Sequence, residues 1–149
     1  MITVEGFLKD NLYMNLATVG EDKQPWNTPL FFASYNNNIY WFSRKDSVHS
    51  KNIQNNNRVF VTIYNSTLQE GAGVGLYILA QARELENHED IDIGVEIYNA
   101  KAKEFKLTKD FVIDQSPNRL YQANILQAWI NDSGDVNGDY VDVRKEISF

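Results

Sequence analysis

A chain of 149 residues with 43% hydrophobic and 23% charged side chains has the balance of one ordinary folding unit, so neither a disordered tail nor a fibrous repeat is indicated. The absence of cysteine excludes a disulfide framework, a thiolate metal site and a cysteine nucleophile. A formal charge of −6 excludes general affinity for nucleic acid or an anionic membrane, so any anion must be held by a local gathering of basic residues.

The N-terminus lacks the basic start and apolar run of an export signal, and no stretch is apolar for long enough to span a bilayer; a soluble cytoplasmic protein is expected. Thr3 to Leu12 predicts a short helix capped by Thr3, with Val4, Phe7, Leu8 and Leu12 at helical spacing. Asn15 to Val19, a polar turn at Gly20-Glu21-Asp22-Lys23, and Trp26 to Tyr35 predict a hairpin, and Ile39 to Ser43 an aromatic strand after the Asn36-Asn37-Asn38 turn. Asp46 and Ser47 can cap a helix running to about Gln54. Val59 to Tyr64 and Val74 to Leu85 follow as strands, joined by a glycine-bearing loop. Glu89 to Phe105 has a helical pattern, with Ile93, Ile97 and Ala100 on one face, while Leu107 to Pro117 is ambiguous. Arg119 to Asn124, Leu126 to Asn131 and Tyr140 to Ile147 complete the strands, with a tight turn at Asn137-Gly138. The expected architecture is one domain over 1–149, a mainly β, antiparallel barrel with peripheral helices.

Arg44, Lys45, His49, Lys51 and Arg58 gather around a single acid, Asp46, in an otherwise acidic chain. A helix starting near Ser47 presents unpaired amides, and the Ser43 and Ser47 hydroxyls could complete a phosphate site; a solvated loop is the plainer alternative. Gly71-Ala72-Gly73-Val74-Gly75 superficially resembles a dinucleotide loop, but strand-like Leu76-Tyr77-Ile78-Leu79 follows where that fingerprint needs a helix. Glycines before a strand mark a bulge or a close approach of backbone to a flat ligand. Ser133 to Gly138 carries the acids of a calcium loop, yet Arg144 stands where the closing glutamate belongs, and a hairpin turn explains it better. His49 and His88 are too few for a histidine-rich metal centre, no metal site is expected, and His88 reads as a surface residue. Most of Trp26, Phe31, Phe32, Tyr40, Trp41, Phe42, Phe60 and Tyr64 are expected in the core.

Leu16-Ala17-Thr18-Val19, Gln24 to Phe32, Tyr40-Trp41-Phe42-Ser43, Asp46 to Ile53 and Arg58-Val59, with Gly73 to Ile78, Ala82 to Leu85, Arg119-Leu120-Tyr121 and Trp129 to Asp132, together resemble the pyridoxamine 5′-phosphate oxidase-like family. The resemblance implies a split β-barrel that forms a homodimer with FMN in a groove between subunits. By position, Trp26, Asn27, Thr28 and Pro29 would border the isoalloxazine and ribityl chain, and Phe42 and Ser43 would approach the ribityl phosphate. Ser47, His49 and Lys51 would hold that phosphate, while Gly73, Val74 and Gly75 would reach the flavin from the partner. The chain departs from the family's oxidases at Val48, where arginine is common, and at Thr28 or Ala33, where a basic residue stands. Nor does it have a counterpart of the residues that grip a substrate phosphate, so vitamin B6 oxidation is not expected. The resemblance points to an FMN-dependent oxidoreductase acting on an unknown small molecule, with no catalytic acid or base identified. The alternatives are a non-catalytic flavin-binding or stress-associated protein, or a binder of another ligand such as haem, with His49 as the iron ligand.

Overall fold

The computed structural model describes residues 2–149; Met1, and the side chains of Ser133 and Asp135, lie outside the described residues. The strands are β1 (Tyr13–Val19), β2 (Pro25–Phe31), β3 (Ala33–Tyr35), β4 (Asn38–Arg44), β5 (Arg58–Tyr64), β6 (Gly75–Glu84), β7 (Asn118–Val136) and β8 (Asp139–Glu146). The helices are α1 (Val4–Asp10), α2 (Val48–Asn55) and α3 (His88–Lys101), with a 3-10 turn at Lys109–Val112.

All strand pairs are antiparallel, in the order β2-β1-β5-β6-β7-β4-β3, with β8 added to β7. β2 and β3 are successive pieces of chain separated only by Phe32, yet they occupy opposite ends of that order. The sheet must therefore roll until its ends meet, which makes the curled barrel expected from the sequence. Trp26 to Tyr35 is thus two strands rather than one: the chain leaves one edge and joins the other at Phe32, whose ring is wholly buried.

Period-two alternation builds the interior. β1 turns Met14 and Leu16 inward, β5 Val59, Val61 and Ile63, and β6 Leu76, Ile78, Ala80 and Ala82, and these join Trp41, Tyr121 and Ile125 in one core. Val4 and Leu8 of α1 cover an opening of it. A second core lies where α3 packs on the other face of β4 and β7, through Tyr40, Leu85, Ile91, Tyr98 and Leu120. β4 is therefore apolar on both faces, which is why Tyr40, Trp41 and Phe42 stand side by side in the sequence.

Three expectations are corrected. Helix α3 stops at Lys101 rather than Phe105, because the Asn99 side chain accepts from the Leu107 amide (2.7 Å) and donates to its carbonyl (2.8 Å), while Lys106 donates to the Asn99 and Ala102 carbonyls. Its buried face carries Ile91, Gly94 and Tyr98, leaving Ile93 46% exposed. The segments 119–124 and 126–131 form one continuous strand, with a bulge opposite Leu79 and Ala80 that leaves Leu126 unpaired with β6. The Asn137-Gly138 turn is present, with φ of 56° and 87° at its two residues, as a two-residue hairpin requires. Among the described residues, no helix is long and apolar enough to cross a membrane.

Candidate functional site

The turn between β4 and α2 assembles the polar part of the site. Ser47 caps α2 by accepting from the Ser50 amide (3.4 Å), and its hydroxyl donates to the Arg44 carbonyl (2.8 Å). The His49 Nε2 lies 2.7 Å from the Ser43 Oγ and 3.3 Å from the Ser47 Oγ, so Ser43, Ser47 and His49 form one connected cluster. Helix geometry leaves the first amides of α2 without acceptors in the helix itself. Two anchors hold the cluster: buried Asn52 donates to buried Thr18 on β1 (3.0 Å), and the Lys45 amide donates to the Pro117 carbonyl (2.9 Å).

Of the basic residues around this turn, Arg44 is spent on Asp46 through two bonds of 2.9 and 2.8 Å, both groups being exposed. The Arg44 hydrogen bond holds the Asp46 carboxyl below its ordinary range, and Lys51, exposed on α2, adds to this. Val48, where an oxidase would carry arginine, is exposed beside this turn. Of the two strand positions without a basic residue, Ala33 is buried in the core and Thr28 is half-buried.

Burial lowers the His49 pKa from its ordinary value near 6.5, so the imidazole is neutral at pH 7. Falling pH protonates the unfolded chain first, near 6.5, while the folded chain resists until a lower pH; this contribution to stability is complete above about 6.5 and is lost as pH falls below it. The melting temperature should accordingly fall between pH 7 and 5.5, and a His49→Gln variant should fall less over that window. Equal slopes in a circular-dichroism melt series would show that His49 is not held neutral.

Trp26, Asn27 and Pro29 are exposed on β2, an edge strand that pairs with β1 alone; of the eight aromatics, Phe32, Tyr40 and Trp41 are buried, Phe31, Phe42 and Phe60 half-buried, and Trp26 and Tyr64 exposed (46% and 55%). Pro29 and half-buried Phe42 share an apolar groove of about 650 Å3 with Phe31, Tyr98 and Phe105. Gly73, Val74 and Gly75 instead line a separate cleft of about 350 Å3 with Tyr64, Tyr77 and Asn131, and none of the β2, β4 or α2 site residues reaches it. Within one chain, then, the expected site residues fall into three places. Asn131 on β7 was not singled out from the sequence, yet its side chain accepts from the Gly75 amide (2.5 Å) and donates to the Gly73 carbonyl (3.3 Å), clamping the glycine segment.

An antiparallel barrel rolled by a chain that switches edges, with a polar helix start after β4 and an apolar groove under α3, defines a class of small split-barrel proteins. The chain belongs to the pyridoxamine 5′-phosphate oxidase family, whose model matches residues 2–128. A search of curated proteins finds no match. Among solved structures, the chain is similar to ChuZ from Campylobacter jejuni, at 15% identity and a TM-score of 0.72 over 94% of this chain and 60% of that one. It is also similar to the haem storage protein HutZ from Vibrio cholerae, at 16% identity and a TM-score of 0.67 over 83% of this chain and 88% of that one. An FAD-binding protein from Mesorhizobium loti is 18% identical, with a TM-score of 0.66 over 87% of this chain and 94% of that one. At such identities these structures speak for the fold alone.

Proposed function

We propose that the chain is an FMN-binding flavoprotein, a homodimer with the cofactor between subunits, that acts as an oxidoreductase on a small molecule. The observation that carries this reading is the Ser43, Ser47 and His49 cluster at the start of α2, where hydroxyls, an imidazole and free amides meet beside a helix that also carries Lys51. Those donors suit a phosphate monoester. Pro29 and Phe42, in a groove that none of these donor residues lines, would supply apolar surface for the ring end of the cofactor. The flavin, when bound, supplies the hydride or electron transfer. The chain's own residues bind the phosphate, orient the ring and exclude water from its apolar side.

Haem fits less well. An iron ligand needs an imidazole nitrogen with a free lone pair, whereas the His49 Nε2 is engaged by two serine hydroxyls, a hydrogen-bonded arrangement that suits an oxyanion better than a metal. The two ends of the flavin site, the α2 start and the Gly73 to Gly75 cleft, are separate within one chain, since no α2 residue lines that cleft, which supports a site completed by a second copy.

Titration with FMN and with riboflavin, followed by visible absorption, tests the reading. FMN should bind more tightly than riboflavin, and a His49→Ala, Lys51→Ala double variant should lose about 10- to 100-fold in FMN affinity while riboflavin is unaffected, as expected for removing hydrogen bonds to a charged group. Equal affinity for the two ligands would remove the phosphate site, and failure of both to bind would remove the flavin. Reduction of bound flavin by NADH or NADPH then separates an enzyme from a carrier.

A further inference from the structure

Beyond Ile130, β7 pairs with β8 alone, because β6 begins at Gly75. Residues 131–136 and 139–144 therefore form a two-stranded ribbon, about 20 Å long, that runs on from the barrel and lies past the residues the family model spans. The register sets Asp132 opposite Val143, Gly134 opposite Val141 and Val136 opposite Asp139, so the three valines share one face. Val136 is 56% exposed and Val143 36%. A Cβ at Gly134 would meet the Val143 Cγ1 at 3.2 Å, so the glycine keeps this face flat. A ribbon of two strands is marginal in water unless its apolar face is covered.

Charge indicates what covers it. Between positions 132 and 142 the sequence has four acids, Asp132, Asp135, Asp139 and Asp142, and no Lys or Arg. The opposite excess lies at the turn into α2. With Arg44 paired to Asp46, exposed Lys45 and Arg58 have no ion pair among the described residues, and exposed Val48 lies in the same turn. The ribbon cannot fold back onto this turn in its own chain. The Lys45 amide is bonded to Pro117, just before β7 begins, and Asn131 is about 40 Å further along that strand. Arg58 is paired with Gln81, whereas the ribbon starts beside Gly75, at the other end of β6. A two-fold axis across the strands reverses their direction, so it sets the ribbon of each copy at the basic end of the other and makes the contact twice.

We propose that this ribbon is an arm that lies across a second copy of the chain, its valine face down and its acids against Lys45 and Arg58 of that copy, the two arms being exchanged about the two-fold axis. The arm rests on the homodimer of the reading above and not on its flavin, since neither Lys45 nor Arg58 is assigned to the phosphate.

Because the chain has no cysteine, single cysteines test this cleanly. A chain carrying Tyr140→Cys, on the ribbon face opposite the valines, is co-expressed with a differently tagged chain carrying Gln54→Cys, an exposed position in the same hollow as Lys45. A short bismaleimide should then link the two chains, and less so in high salt. Val136→Asp and Val143→Asp, outside the barrel core, should each weaken the dimer about tenfold in sedimentation, and Lys45→Glu about threefold, while Tyr140→Ser leaves it unchanged. A wild-type dimer that gives no two-chain product, or a chain carrying both cysteines that links only within itself, would overturn the arm and leave the homodimer standing. Valine variants that dimerise like wild type would overturn it as well. A wild-type monomer would remove arm and homodimer together, whereas the two-chain product in a protein that binds no flavin would leave the arm standing and remove the flavin.

Discussion

When a chain carrying His49→Ala and Lys51→Ala is paired with a chain carrying Asn131→Ala, one of the two flavin sites in the mixed dimer should bind FMN with wild-type affinity, although neither homodimer does. The expectation follows from the separation of the two clefts. His49 and Lys51 belong to the α2 start, whereas Asn131 holds the Gly73 and Gly75 backbone in a cleft that no α2 residue lines. Replacing Asn131 by alanine removes two hydrogen bonds and frees a segment with two glycines, a loss of about 1 to 3 kcal/mol in whatever that segment grips. If each site takes its phosphate end from one subunit and its glycine end from the other, the mixed dimer gathers both lesions into one site and leaves its twin intact. Were both ends supplied by the same chain, every site would carry one lesion and the mixed dimer would bind no better than its parents. Purification through two different affinity tags, followed by flavin titration, reads the stoichiometry directly. One tight site per dimer supports the shared site; none sinks it.

How much of this was legible in the sequence depended on whether the deciding contact was local. The strands of the barrel followed from alternation, as in Met14, Leu16 and Thr18, because a strand's burial pattern is written into adjacent residues. The Ser47 cap and the Asn137-Gly138 turn were legible for the same reason: each acts within three or four residues of itself. The end of α3 was not, since it depends on Asn99 meeting Leu107 after the chain has turned. Nor was its buried face, because Ile93 and Ile91 are equally apolar and only the packing of Gly94 against Leu120 selects between them. The exposure of Trp26 reflects the edge position of β2, a property of sheet order that no window of sequence contains. In the site, Ser43, Ser47 and His49 lay close enough along the chain to be read as a cluster. The clamp from Asn131 to Gly75 spans 56 positions, and nothing local marks it, because Asn131 opens a polar run, Asn131-Asp132-Ser133, in which no one residue stands out.

Gly94 makes the largest stability prediction. A Cβ built there would lie 2.5 Å from the Leu120 Cδ2, 3.2 Å from the Leu85 Cδ1 and 3.4 Å from the Tyr40 Cδ1. All three neighbours are buried in the second core, so a larger side chain must push α3 away from β4 and β7. For Gly94→Ala two effects oppose each other: alanine is favoured over glycine in a helix by about 1 kcal/mol, while the Leu120 methyl must move aside. The net change should be small. Gly94→Leu gains no more from propensity and adds three further carbons to a filled space, so it should lose about 2 to 3 kcal/mol, or roughly 4 to 12 °C in melting temperature. Because Tyr98 and Lys101 lie one and two turns further along the same helix and line the apolar groove, the displacement should also shift the groove wall. A Gly94→Leu variant as stable as wild type would mean that α3 does not seat on the sheet through this glycine, and the groove would lose the wall that defines it.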